Sequence, residues 1–256
     1  MRIALDRHQR EELEENCLLI EARHRDKAFS MPAKALLAPD SCLELLDRLG
    51  PVLGSSSRHI TASLLAKRLA FLTTGSALYA MSAMDRGLDL SVDNVFVEFR
   101  HENALWRSRM PLVTTTATCP RDGARQEWRD EVIRNLFANG LAPIINSLNS
   151  VARTPVSVLW ENVAVRAYSL YEKRLATERH LSHRTQITDD FHYLVNDAPA
   201  RLFGTRDNPL QRYFLTRQTC CSDSPRIRKT CCYYYRASDP VEFCSTCPLP
   251  RAIQSR

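Results

Sequence analysis

Six of the nine cysteines fall within the last 37 residues, as the pairs Cys220-Cys221 and Cys231-Cys232 and the hook Cys244-Ser245-Thr246-Cys247. Thiolates clustered at such spacing hold a metal ion or an iron–sulfur cluster. In the Cys-x-x-Cys hook, two intervening residues let the chain turn so that both sulfurs face one ion, and Pro248 limits the backbone directly afterwards. Neighbouring side chains on an extended segment point to opposite faces. Cys231 and Cys232 therefore chelate a single ion poorly unless the chain bends sharply. They suit a binuclear [2Fe-2S] site better, since its ligands are divided between two irons. Eleven residues separate Cys232 from Cys244, enough for a loop that brings pair and hook together. Cys17, Cys42 and Cys119 are scattered and read as small buried hydrophobes.

The surroundings of the cluster are basic. Between Arg201 and Arg236 eight Lys or Arg residues face two acids, an excess of six that equals the formal net charge of the whole chain. This segment reads either as a solvated basic face or as positive charge that offsets thiolates and attracts an acidic partner. Arg228, Lys229, Arg236 and Tyr233 are the candidates for tuning a bound cluster; Tyr233, Tyr234 and Tyr235 either cover it or serve as ordinary core aromatics. No GxGxxG or Walker motif occurs among the seven glycines, so nucleotide or flavin binding by this chain is not expected. His180-x-x-His183 has helical spacing and reads as a surface feature.

At 256 residues the chain fits one large domain, or one domain with a small module, and buries a core without disulfides. It shows neither the apolar stretch of a signal peptide nor a run near the ~18 apolar residues that span a bilayer. A cytoplasmic location is expected, with loose inner-membrane association left open. In that compartment thiols stay reduced, which favours ligands over staples.

Charged, Leu-rich residues predict a helix over 6–28, and a second over 41–49 capped by Ser41. Ser57 caps a third, in which Ile60, Leu64, Leu65, Leu69 and Leu72 recur at helical spacing; Thr73-Thr74-Gly75-Ser76 reads as a break before a further helix to Met84. Val95, Val97 and Phe99 alternate with Phe96, Glu98 and Arg100, predicting a strand with one buried face that turns at His101-Glu102-Asn103 and returns over 104–110 as a β-hairpin near 92–110. Helices follow over 126–139, stopped by Gly140, and from Thr154 as N-cap with Pro155 at N1. The expected fold class is α+β: mostly helical, with a small antiparallel β element and a loop-rich C-terminal cluster-binding segment.

The tail resembles the FhuF family of ferric siderophore reductases. The stretch Lys229-Thr230-Cys231-Cys232-Tyr233-Tyr234-Tyr235-Arg236 followed by Phe243-Cys244-Ser245-Thr246-Cys247-Pro248-Leu249 is similar to that family's C-terminal signature, with a slightly longer spacer. Asp207-Asn208-Pro209-Leu210, Leu159-Trp160-Glu161-Asn162 and Glu98-Phe99-Arg100-His101-Glu102 resemble family segments upstream. Cys220-Cys221 is not part of the resemblance.

The resemblance implies that Cys231, Cys232, Cys244 and Cys247 ligate a [2Fe-2S] cluster and that Trp160, Asn162 and Asn208 shape a substrate pocket, although a capping role for each Asn is equally consistent. It implies a helical docking domain over 1–200 and a cluster-binding segment over 201–256. The activity implied is one-electron reduction of Fe(III) in a hydroxamate siderophore, releasing Fe(II) in the cytoplasm, with a ferredoxin-like or flavoprotein donor and no nucleic acid. Two other readings of the cysteines stay open: a structural Zn(Cys)₄ site in a nucleic-acid-binding protein, and an iron–sulfur sensor or electron carrier.

Overall fold

A computed structural model describes residues 1–214 and 226–250, apart from the side chains of 178–180. It is a mostly helical α+β structure. The eight α-helices are α1 (Arg7–Cys17), α2 (Pro39–Val52), α3 (Arg58–Met84), α4 (Arg125–Leu136), α5 (Ala142–Ala152), α6 (Val156–Ser169), α7 (Arg184–His192) and α8 (Pro209–Tyr213) among the described residues. Its strands are short: β1 (Arg2–Ile3), β2 (Leu19–Glu21), β3 (Ser30–Pro32), β4 (Phe96–Glu98), β5 (His101–Glu102), β6 (Leu105–Trp106), β7 (Met110–Leu112) and β8 (Ala117–Thr118). No described helix is long and apolar enough to cross a membrane.

The axis of the molecule is α3. Its 27 residues span about 40 Å at ~1.5 Å per residue. Ser57 caps it by accepting from the Ile60 N–H at 3.4 Å. The polar tetrad Thr73–Ser76 does not interrupt it. Thr73 and Thr74 donate their hydroxyls to the Leu69 and Ala70 carbonyls one turn back, so both are satisfied inside the helix. Nearly every residue from Ile60 to Ala83 is buried, because neighbours cover α3 on several sides, with α6 packed most extensively along it. A helix buried all round has no single apolar stripe.

Several boundaries differ from expectation for identifiable reasons. Helix α1 ends at Cys17 rather than near Ala28, because Leu18 adopts φ 59° and the chain then enters β2. Helix α2 begins at Pro39, with Ala38 rather than Ser41 at the N-cap position and no side-chain cap; Pro is tolerated at N1 because its missing N–H is not needed there. Gly140 does not end α4. It lies in a π turn, Phe137–Leu141, that joins α4 to α5, and a Cβ there would run into the Leu90 carbonyl. Thr154 is not an N-cap: its hydroxyl donates to the His59 carbonyl at 3.1 Å, and Pro155 is the residue before α6.

The hairpin is also smaller than predicted. Only β5 and β6 form one, turned by Asn103 and Ala104 with φ 51° and 59°. Strand β4 pairs instead with β3, antiparallel, and β7 pairs with β2, parallel. The partners come from the N-terminal segment, which local alternation cannot reveal. Glu98 breaks that alternation: it is buried and accepts from the Asp26 and Arg109 N–H groups, at 2.8 Å each.

Candidate metal centre

The four cysteines of the tail meet in two crossed pairs. Cys232 Sγ lies 3.7 Å from Cys244 Sγ, while Cys231 is neighboured by Cys247, which, after burial, acts to raise its pKa. Adjacent residues of the Cys-Cys pair thus reach different members of the hook, as opposed side-chain directions require. Tyr233 makes the necessary bend. It adopts φ 63°, donates its N–H to Cys231 Sγ at 3.3 Å, and stacks on His59 with ring centroids 4.5 Å apart. On the other side the Cys247 N–H donates to the Cys244 carbonyl at 2.9 Å, closing the hook.

Two sulfurs bound to one tetrahedral ion at ~2.3 Å lie about 3.7 Å apart. The Cys232–Cys244 separation therefore suits a shared iron. Among the described residues no three or more Cys, His, Asp or Glu side chains converge on one point. Two pairs suit the divided ligand set of a binuclear centre.

Two consecutive buried residues of α6, Glu161 and Asn162, hold the tail in place. Glu161 accepts the backbone N–H of Lys229 at 2.6 Å and of Thr230 at 2.7 Å, and also the Thr230 hydroxyl. It lies 3.7 Å from Arg228 Nε. Asn162 accepts from Arg228 Nη1 at 2.7 Å and donates to the Ser63 carbonyl of α3 at 3.0 Å. Ser63 in turn donates to the Cys232 carbonyl at 3.0 Å, and the Arg228 N–H donates to the Thr246 carbonyl at 3.0 Å. Both sides of the cysteine cluster are thereby tied to α3 and α6.

The electrostatics favour thiolate at Cys232. Its pKa falls to about 5, chiefly because the Cys244 thiol donates to it, with Lys67 and Arg228 adding positive charge. Lys67 Nζ stands 3.8 Å from Cys232 Sγ. Burial pushes the Cys231 thiol up, and Cys244, as the donor to Cys232, is also raised. Ligands must be deprotonated to bind metal, so a cationic wall on one pair assists loading.

Of the predicted tuning residues, Arg228 is buried and faces the cluster. The Lys229 ammonium turns away to the Arg212 carbonyl at 2.9 Å, and Arg236 is exposed. The predicted pocket residues are placed elsewhere in the structure. Asn208 caps α8 by accepting from the Leu210 and Gln211 N–H groups, and donates to the Leu194 and Ala198 carbonyls. Trp160 is buried against Phe137. With Asn162 bound to Ser63 and Arg228, none of the three lines the cavity beside the cysteines. Cys220 and Cys221 lie outside the described residues, as does the His180 side chain.

That cavity, of about 750 Å³, is floored by Lys67, Arg68 and Phe71 of α3 with Arg166 of α6, and walled by Trp106 of β6 and by Tyr234. It shares Lys67 with Cys232, and Tyr234 follows the cysteine pair by two residues. Lys67, Glu161 and Arg166 were not among the sequence candidates. A signal existed: Lys67 and Arg68 are the only charged residues between His59 and Asp85, and Glu161 sits within an apolar helical run.

Comparison with protein families gives two matches. Residues 63–220 match the model "Ferric iron reductase FhuF-like transporter", and residues 228–249 match "FhuF 2Fe-2S C-terminal domain". The chain belongs to the FhuF-like ferric iron reductase family. It is an oxidoreductase with a [2Fe-2S] centre, and the family's general activity is reduction of siderophore iron. The first match runs from within α3 to Cys220, and the second contains the Cys231-Cys232 pair and the hook. No curated protein matches the chain.

Proposed function

We propose that this protein reduces ferric hydroxamate siderophore complexes docked in the Lys67–Arg166 groove and releases Fe(II) in the cytoplasm. The observation that carries the reading is that groove and cysteine cluster share Lys67, so a chelate in the groove lies beside the thiolates. We assign the ligand role to Cys231, Cys232, Cys244 and Cys247, supported by their crossed pairing and the 3.7 Å sulfur separation. Bound there, a [2Fe-2S] cluster supplies a single low-potential electron.

The chain's own residues do three things. Glu161 and Asn162 hold the tail against α6, which fixes the thiolates relative to the groove. Lys67 and Arg228 place positive charge beside Cys232, which favours the thiolate form and raises the tendency of the centre to accept an electron. Trp106, Phe71 and Tyr234 offer apolar surface to the chelator's hydrocarbon arms. No nucleophile or general acid is required, since adding one electron turns a hard Fe(III), tightly held by hard oxygen donors, into a weakly held Fe(II). With no nucleotide motif in the sequence, the electron comes from a separate ferredoxin-like or flavoprotein donor. The division of labour is a helical body over 1–200 that docks substrate and a tail over 201–256 that carries the cluster.

Anaerobically purified protein is expected to be red-brown, with two irons per chain and visible absorption that bleaches on reduction. Stopped-flow mixing of the reduced protein with a ferric trihydroxamate should restore that absorption at a rate that rises with chelate concentration. A colourless protein with one zinc ends this reading, and a cluster that no ferric chelate reoxidises points to a sensor instead.

A further inference from the structure

The floor of the groove carries three cations without carboxylate partners. Among the described residues, none of Lys67, Arg68 and Arg166 forms an ion pair with an acid. Arg166 is largely buried, and its Nε has no hydrogen-bond acceptor at all. Arg68 donates only to the hydroxyl and carbonyl of Ser108. Both guanidinium groups lie against the same Phe71 ring, 5.2 and 5.4 Å from its centroid. Burial lowers the pKa of each, and Arg166 lowers that of Arg68 further, to about 10. Placing like charges this close in a half-buried floor is unfavourable without a counter-ion.

The cysteine thiolates answer only part of that charge. Lys67 and Arg228 face Cys232, and Arg166 feels both Cys232 and Cys244. Arg68 feels no thiolate; the neighbouring charge that acts on it is the Arg166 guanidinium, another cation, so it faces the groove with its charge unanswered. The acids on the lining are Asp239 and Glu242 from the tail, both exposed, and Glu242 already accepts the Tyr234 hydroxyl at 3.2 Å. Among the described residues neither forms an ion pair with Arg68 or Arg166.

We infer that the groove selects ferric hydroxamate complexes with net negative charge, those whose chelator also carries carboxylates, with Arg68 and Arg166 receiving the carboxylate oxygens. Neutral and cationic trihydroxamate complexes are disfavoured. This rests on the groove being the substrate site. Arginine suits the role because its planar fork meets a carboxylate with two parallel N–H···O bonds, while Phe71 and Trp106 accommodate the apolar arms.

The test uses gallium(III), which cannot be reduced by the cluster, so binding is read without turnover. Titration calorimetry of the cluster-loaded protein would compare three Ga(III) complexes: a citrate-based dihydroxamate with net negative charge, a neutral cyclic trihydroxamate, and a linear trihydroxamate with a pendant ammonium. The anionic complex should bind at least tenfold tighter than the cationic one and weaken steeply with added salt. Arg68→Gln and Arg166→Gln should each loosen the anionic complex roughly tenfold and leave the neutral one nearly unchanged, while Arg166→Lys retains part of the preference. The visible spectrum of the cluster verifies that each variant is folded. Equal or tighter binding of the neutral and cationic complexes, insensitive to both variants, overturns the charge inference but leaves the groove as substrate site. Absence of binding by all three overturns the groove itself.

Discussion

Removing the Glu161 carboxylate should release the cluster-bearing tail. Glu161 is 1% exposed and serves two backbone N–H groups, one hydroxyl and a guanidinium that is itself 4% exposed. In Glu161→Ala the Lys229 and Thr230 amides lose their acceptor, and Arg228 keeps only the Asn162 oxygen and the distant thiolates. Removing one partner of a buried ion pair costs about 3–5 kcal/mol, because the other charge stays buried. Glu161→Gln keeps the shape but loses the charge and turns one acceptor into a donor, a cost of roughly 2–3 kcal/mol. At ~1.4 kcal/mol per factor of ten, opening of the tail becomes roughly a hundredfold to a few thousandfold more frequent in the alanine variant.

A chelator removes iron from the opened form, so the rate of bleaching should rise by the same factor when opening and closing are fast. The assay is anaerobic loss of visible absorption under excess chelator, alongside hydrogen exchange at the Lys229 and Thr230 amides. Wild-type bleaching rates in Glu161→Ala, with both amides still protected, would refute the reasoning.

Serine at any one of Cys231, Cys232, Cys244 or Cys247 should abolish or strongly destabilise the visible spectrum, whereas Cys220→Ser and Cys221→Ser should keep it; the reverse pattern would overturn the ligand assignment. Lys67→Gln should lower the cluster potential: a unit charge 3.8 Å from a thiolate is worth about 1 kcal/mol even at the dielectric constant of water, or roughly 50 mV for one electron. Potentiometric titration reads this shift, and an unchanged potential would show that Lys67 does not act on the centre. Asp190 is fully buried and accepts from Arg125, Arg129 and Ser82, none of them a residue of the tail, so Asp190→Asn should cost about 3–5 kcal/mol in thermal unfolding without changing the cluster spectrum.

What could be read from the sequence was what short spacing determines. The Cys-Cys pair and the hook are local patterns, and their crossed meeting follows from the opposed directions of adjacent side chains. Ser57 as a cap and the helical spacing after it are likewise local. Local causes moved the ends of α1 and α2, but the larger differences each depend on a distant partner. Thr73–Ser76 looked like a break because nothing local says that α3 is buried on several sides. Strand β4 looked like half of a hairpin because its partner, β3, lies more than sixty residues earlier. Thr154 has the residue type of a cap, but its hydroxyl goes to the His59 carbonyl, far away in sequence. The pocket was missed for the same reason: Lys67, Trp106, Arg166 and Tyr234 come from four separate segments.

The way the tail is held explains why a reductase centre of this kind is built with polar rather than apolar contacts. Few large apolar side chains of 226–250 are buried; Val241 and Phe243 are exposed, while Arg228, Cys232 and Cys247 are covered. Burial of so little hydrocarbon contributes only a few kcal/mol at ~25 cal/mol per Å². The ordering of about 25 residues costs far more than that. The Glu161 and Asn162 hydrogen bonds and ligation add to that burial, so metal binding and ordering of the tail are linked. Two consequences follow from the same economy. The amides taken by Glu161 lie directly before the cysteine pair, so the clamp positions the sulfurs rather than merely the chain. And the residues that clamp the tail, Glu161 and Asn162, sit one turn from Arg166, so α6 relates the cluster to the groove floor through a single rigid element. A displacement of that helix would move both together and preserve the distance an electron must cross.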